Sequence, residues 1–110
     1  MTIRPGGLSY EALLTVHRLR DNAYGVTIRD DIAQRTGRNY AFGPIYTTLA
    51  RLQADGLLTS KEGAPTPERG GRAKRLYQLT GHGVAVLTEG HRQLEATRAA
   101  FEPVFPGVKA

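Results

Sequence analysis

Apolar residues recur at helical spacing in four separate stretches of the chain, and the breaks between them are rich in glycine and proline. In the first stretch Ala12, Leu13, Val16 and Leu19 form a stripe that Tyr10 and Leu14 widen. Ser9 is its candidate N-cap, Glu11 suits the positive end of the helix, and Asp21-Asn22-Ala23-Tyr24-Gly25 closes it with turn chemistry. Upstream, Pro5-Gly6-Gly7 breaks any regular element. Ile28, Ile32 and Ala33 mark a second helix, predicted to start at Thr27, which can cap it with Asp30 three residues on, and to end at Thr36-Gly37. In the third, Pro44 suits a first turn, where its missing N–H would have no helical partner. Ile45, Leu49 and Leu52 then share one face at i, i+4, i+7, leaving Tyr46, Thr47, Thr48 and Arg51 as a polar front. Gly56 is placed to stop that helix as a left-handed residue.

The pattern then changes. Leu57-Leu58-Thr59-Ser60-Lys61-Glu62 is strand-like, residues 63–72 are a Gly/Pro-rich loop, and residues 73–79 alternate, with Tyr77 and Leu79 on one face and Gln78 on the other. Together they predict a β-hairpin with a long tip. Thr80 caps a last helix, although Gly81-His82-Gly83 is weak helix chemistry for a first turn. From Val84 the positions Val84, Leu87, His91, Leu94, Arg98 and Phe101 alternate by 3 and 4, as a coiled-coil seam does. The seam is imperfect, because His91 and Arg98 occupy it and Gly90 interrupts the helix. Pro103 ends the helix, and residues 102–110 read as a loose tail. A helix this apolar outside a small domain needs a partner: a second copy across a two-fold axis, or its own first helix, or both.

Composition narrows the function. The 110 residues suit one domain, and an apolar fraction of 40% suffices for one small core. With no cysteine there is neither a disulfide framework nor a cysteine metal site. No apolar run approaches membrane-spanning length, and the segment from Met1 to Gly7 lacks a signal peptide's apolar core, so a cytoplasmic protein with no membrane partner is expected. A net charge of +5 and a pI of 10.0 favour an anionic partner such as nucleic acid. The distribution of that charge says more than its sum. Arg69, Arg72, Lys74 and Arg75 crowd one end of the hairpin without an intervening acid, either as a solubilising loop or as a wing that reaches phosphates and the minor groove. Two short helices joined by a Gly-containing turn make a helix-turn-helix, and Arg38 and Asn39 stand at the entrance to its second helix, where phosphate contacts are made. The competing reading makes those two ordinary solvated loop residues.

Catalytic chemistry finds no support. Asp30 and Asp31 are adjacent and diverge by about 100° on a helix, so they cannot converge on one substrate atom; they read as dipole-favouring charges of a first turn. His17 has no metal-type residue at helical spacing, and His82 and His91 make no ligand pattern. There is no defensible nucleophile–base pair and no phosphate loop, so neither an enzyme nor a cofactor is expected.

The combined pattern resembles the PadR-like winged-helix transcriptional regulators. It is carried by Tyr24-Gly25, by Gly43, Ile45, Tyr46, Leu49, Arg51, Leu52 and Gly56-Leu57-Leu58, and by Gly70-Gly71-Arg72-Ala73-Lys74-Arg75, Tyr77, Leu79-Thr80 and Gly83, over about residues 8–90. The resemblance implies a homodimer joined largely through the C-terminal helix, a third helix in the major groove, a wing on the flanking minor groove, and usually repression. It places Tyr46, Arg51, Lys74 and Arg75 on DNA. Thr47 stands where the family often has proline, and the short last helix looks like the family's compact branch. Some relatives sense small molecules at the dimer interface, which leaves an effector there open.

The fold expected is mostly α with a two-stranded β-wing: a winged helix-turn-helix over residues 1–79, a dimerisation helix over 80–102 and a tail over 103–110. The function expected is a dimeric repressor on double-stranded DNA with an inverted-repeat operator. Tyr46, Thr47 and Thr48 would read bases, and Arg38, Asn39, Arg51, Arg72, Lys74 and Arg75 would complete the DNA contacts. The alternative is a winged-helix protein-interaction module that has lost DNA binding.

Overall fold

The computed structural model describes residues 3–65 and 73–101. Helix α1 runs Leu8–Leu19 and continues through a single 3-10 turn, Arg20–Asn22; α2 is Gly25–Thr36 and α3 is Phe42–Ala54. Strands β1 (Leu58–Pro65) and β2 (Ala73–Leu79) pair antiparallel, and α4 spans Gly81–Ala100. The fold is mostly helical with one two-stranded sheet, as expected. Leu13, Ile28, Ile32, Ile45, Leu49 and Leu52 are each at most 1% exposed, so the three first helices bury the stripes that their periodicity marked.

The element ends differ from expectation for local reasons. Gly7, not Ser9, stands at the N-cap of α1, and its N–H is already held by the Arg4 carbonyl at 3.0 Å. Helix α2 begins at Gly25, two residues before Thr27. The Thr27 hydroxyl therefore serves from inside the first turn: it accepts from the Tyr24 amide at 3.0 Å and donates to the Asn22 carbonyl at 2.5 Å. With that start, Asp30 and Asp31 lie beyond the first turn and are not its dipole charges. Helix α3 starts at Phe42, which leaves Pro44 third in the helix and still within the turn that needs no N–H from it. Gly56 follows with φ +78°, the left-handed value expected of it. Strand β1 extends to Pro65, past the Glu62 end expected for it. Pairing runs from Leu58 opposite Leu79 to Glu62 opposite Arg75, then shifts register before Pro65 meets Ala73.

The hairpin is fastened to the helices by its base. The Tyr77 amide donates to the Ala23 carbonyl at 2.8 Å, and the Thr80 amide to the Leu57 carbonyl at 3.1 Å. Thr80 caps α4 as expected, accepting from the Gly83 amide at 2.9 Å. Gly83 and Gly90, both poor helix residues, have steric reasons to be there. A β-carbon at position 83 would overlap the Leu57 carbonyl oxygen, and one at position 90 would come within 2.8 Å of the Tyr10 ring. Each glycine lets α4 lie closer to its neighbour than any other residue allows.

Helix α4 packs on its own α1 through its first half. Val86, Leu87 and Gly90 are buried there, and Leu94 rests partly against the same core. Leu87, expected at the dimer seam, is only 9% exposed within a single chain, because the helix turns that edge toward α1. From His91 onward the side chains are exposed except for the half-buried Gln93 and Leu94.

Between α1 and α2 lies a polar network that adjacency in sequence did not reveal. Arg35 donates to Glu11 and to Asp31, both at 2.8 Å, and to the Thr15 hydroxyl at 2.7 Å. The Thr15 hydroxyl in turn donates to Asp31 at 3.0 Å, and Arg18 reaches the same carboxylate at 3.3 Å. Burial alone would raise the Asp31 carboxyl, but the hydrogen bonds from Arg35, Arg18 and Thr15 together outweigh it and hold the group below its ordinary value. Asp30, by contrast, points outward beside Arg29 at 3.6 Å.

Candidate nucleic-acid interface

Helix α3 divides its residues by a 100° step. Ile45, Thr48, Leu49 and Leu52 are buried, whereas Tyr46, Thr47, Ala50 and Arg51 are exposed. Thr48 is thus a correction: at 7% exposure it belongs to the buried side, since it lies three residues after Ile45 and four before Leu52. That leaves it little surface with which to read a base. Tyr46, Thr47 and Arg51 keep the outward placement expected of them.

Tyr46 is positioned by a glycine. Its ring lies over the backbone of Gly25 at the start of α2, where any β-carbon would overlap the phenol. It also stacks on Phe42, one turn earlier, with 6.0 Å between ring centroids and 25° between planes. The Arg29 guanidinium sits 4.2 Å from the centre of the Phe42 ring. On the hairpin side, the Lys74 ammonium lies 4.8 Å over the ring of Tyr24, the residue before that same Gly25. Arg29, Phe42, Tyr46 and the Tyr24–Lys74 pair therefore surround the junction between α2 and α3. Phe42 and Arg29 were absent from the expected set; an aromatic two residues before Pro44 was the available signal.

The remaining expected contacts are spread around this junction. Arg75 is exposed on β2 and donates to the Ser60 hydroxyl at 3.1 Å, which in turn donates to the Gln53 side chain of α3 at 3.0 Å. The wing base is thereby hydrogen-bonded to the end of α3. Arg38 is exposed beyond α2 and is tethered to the Gly6 carbonyl at 2.8 Å; Asn39 beside it is exposed. Arg72 lies outside the described residues, as does Arg69. Among the described residues, Arg38, Arg51, Lys74 and Arg75 form no ion pair, whereas Arg18 and Arg35 are committed to Asp31 and Glu11. At the α2–α3 junction and wing, the only carboxylate paired with a cation among the described residues is Asp30 beside Arg29, while the cations between α1 and α2 are neutralised.

The residues expected at a dimer seam separate into two groups. Val84 and Phe101 are 49% and 68% exposed, His91 is exposed, and Arg98 pairs only loosely with Glu95 at 3.6 Å. Leu87 and Leu94 face the chain's own core instead. Val84, Leu87 and His91 line one side of a groove of about 320 Å³ whose other side is Tyr10, Leu14 and His17 of α1. Among the described residues no helix is long and apolar enough to cross a membrane.

Comparison with known proteins places this architecture. The family model described as the transcriptional regulator PadR-like family matches residues 13–89. The chain is 40% identical over 81 residues to transcriptional regulator Rv3488 of Mycobacterium tuberculosis, covering 73% of this chain and 71% of that one. A PadR-like transcription factor from Bacteroides fragilis superposes with a TM-score of 0.68 at 26% identity over 84% of each chain. Bacillus subtilis PadR, solved in complex with operator DNA, superposes with a TM-score of 0.59 at 24% identity, over 94% of this chain and 54% of that one.

Proposed function

The chain belongs to the PadR-like family of transcriptional regulators, and from that premise we propose that it is a dimeric repressor that binds an inverted-repeat operator in double-stranded DNA. The observation that carries the proposal is the split surface of α3. Ile45, Leu49 and Leu52 anchor the helix, while Tyr46, Thr47 and Arg51 stand on the exposed side, with Lys74 and Arg75 alongside. Tyr46 and Thr47 read base edges in the major groove; Arg38, Asn39, Arg51, Lys74 and Arg75 hold phosphates. That Bacillus subtilis PadR, with the same fold, was solved on operator DNA supports this use of the surface.

The second copy docks on the exposed part of α4 and the residue that caps it, chiefly Val84, His91, Arg98 and Phe101. A two-fold dimer spaces its half-sites about one helical turn, roughly 10 bp. Release from DNA by a small molecule belongs to the same proposal, and the α1–α4 groove lined by Tyr10, Leu14 and Leu87 has room for one. Gel-shift and footprinting on the DNA upstream of the protein's own gene test the proposal, repeated with candidate ligands. A protected inverted repeat is expected. Failure to bind any DNA at low salt would overturn it and favour a protein-interaction module.

A further inference from the structure

Phe42 is a large aromatic residue at the first position of α3 and is 37% exposed. A single exposed apolar side chain on a protein surface is ordinary. This one differs in how it is held. The Arg29 guanidinium packs over the ring at 4.2 Å and Tyr46 stacks with it at 6.0 Å, so contacts with a cation and a second aromatic clamp the ring. A clamped side chain loses little freedom on binding, which lowers the cost of using it as a contact. Its position also matters, because the N-terminal residues of a recognition helix are the ones that meet base edges.

We propose that Phe42 determines specificity by packing its ring edge against the 5-methyl group of a thymine in the major groove. The inference rests on the DNA-binding reading above. The chemistry selects the base: among the four bases, only thymine presents an apolar group to the major groove, and a phenylalanine edge offers nothing to a donor or an acceptor. The cations at this junction, Arg29 over the ring and Lys74 over the neighbouring Tyr24, suit a polyanion more than an apolar protein partner. Arg29 acts as a positioning residue, holding the Phe42 ring rather than meeting the base.

The test begins with selection of a binding duplex from a random library, using the full chain. Each thymine of the selected duplex is then replaced in turn by deoxyuridine, which removes only the methyl group. For the unaltered protein, one thymine in each half-site should show affinity falling about fourfold per methyl lost, the equivalent of one buried carbon. Phe42→Ala should bind the thymine duplex more weakly and be indifferent to that same substitution. Phe42→Gln, a good helix former of similar reach, repeats the measurement should the alanine variant fold poorly. Failure to enrich any duplex would overturn the DNA-binding reading itself. Enrichment without a methyl effect, or with an effect that persists in the Phe42 variants, would overturn this inference alone.

Discussion

The phenol of Tyr46 lies against the backbone of Gly25, in space that a β-carbon at position 25 would occupy. The colliding atoms are the far end of a side chain, which can swing aside without moving backbone. Alanine also suits a helix better than glycine, by roughly 0.5–1 kcal/mol. Gly25→Ala should therefore leave thermal stability within about 1 kcal/mol of the original while displacing Tyr46 and weakening operator binding about tenfold, as the loss of one base contact does. Melting curves and gel-shift titrations measure the two effects separately. Unchanged binding would mean that the Tyr46 placement seen here is not the one used on DNA.

Gly83 presents the opposite case. A β-carbon there meets the Leu57 carbonyl oxygen, a backbone atom that also accepts from Thr80. Neither partner can turn away, so α4 would have to lift from the hairpin base. Gly83→Ala should cost about 1–3 kcal/mol, the usual range for overpacking, in spite of alanine's better helix propensity. The urea midpoint measures this; a stabilised variant would show that the close approach is not needed.

Those two glycines also show where the sequence was legible and where it was not. The stripe Ile45, Leu49, Leu52 declares itself because a helix repeats every 3.6 residues. Thr48 lies on that same side by the same arithmetic, yet its hydroxyl invited a polar assignment; its geometry outweighed its chemistry. Gly83 and Gly90 looked like flaws in a helix because their reasons, Leu57 and Tyr10, are distant in sequence. Adjacency in sequence sets Asp31 beside Asp30, while its hydrogen-bond partners are Thr15, Arg18 and Arg35. Local periodicity reaches across one turn, whereas the interface depends on contacts between separate elements, such as Tyr46 with Gly25 and Lys74 with Tyr24.

The Asp31 network implies a defined response to acid. Its carboxyl lies below the ordinary value of 3.8 in the folded chain, since its hydrogen bonds outweigh its burial. A depressed carboxyl contributes stability in full above the unfolded value and loses it as pH falls through the folded one. Asp31→Asn should therefore destabilise the protein at neutral pH by about 1–3 kcal/mol, through loss of charge-assisted bonds. The difference between the two proteins should narrow below about pH 4. Urea unfolding from pH 3 to pH 7 supplies the comparison, and a difference constant across that range would remove Asp31 as its source.

Lys74 and Arg75 carry charge without a carboxylate partner among the described residues, and Lys74 is steadied over Tyr24. Phosphate contacts release counterions, so each one lost should reduce the slope of log K against log salt by about 1. The double alanine variant should bind every sequence more weakly, with its slope shallower by about 2. An unchanged slope, measured by fluorescence anisotropy across a salt series, would place the wing away from the phosphates.

The dimer proposal is best tested where the chain does not need the residue for itself. Leu87 is a poor choice, since a carboxylate in its 9%-exposed site would disrupt the packing of α4 on α1 and confuse unfolding with dissociation. Val84 and Phe101 are 49% and 68% exposed, so their replacement by glutamate leaves the core of one chain intact. Across a two-fold axis each substitution acts twice, placing four carboxylates in or beside one interface. Each apolar side chain of this kind is worth about 1.5–3 kcal/mol when fully buried. Val84→Glu with Phe101→Glu should therefore halve the molar mass in light scattering at micromolar concentration, while the helical circular dichroism stays that of the original protein. A dimer that survives both changes uses another face, and the exposed side of α4 would then need a different partner.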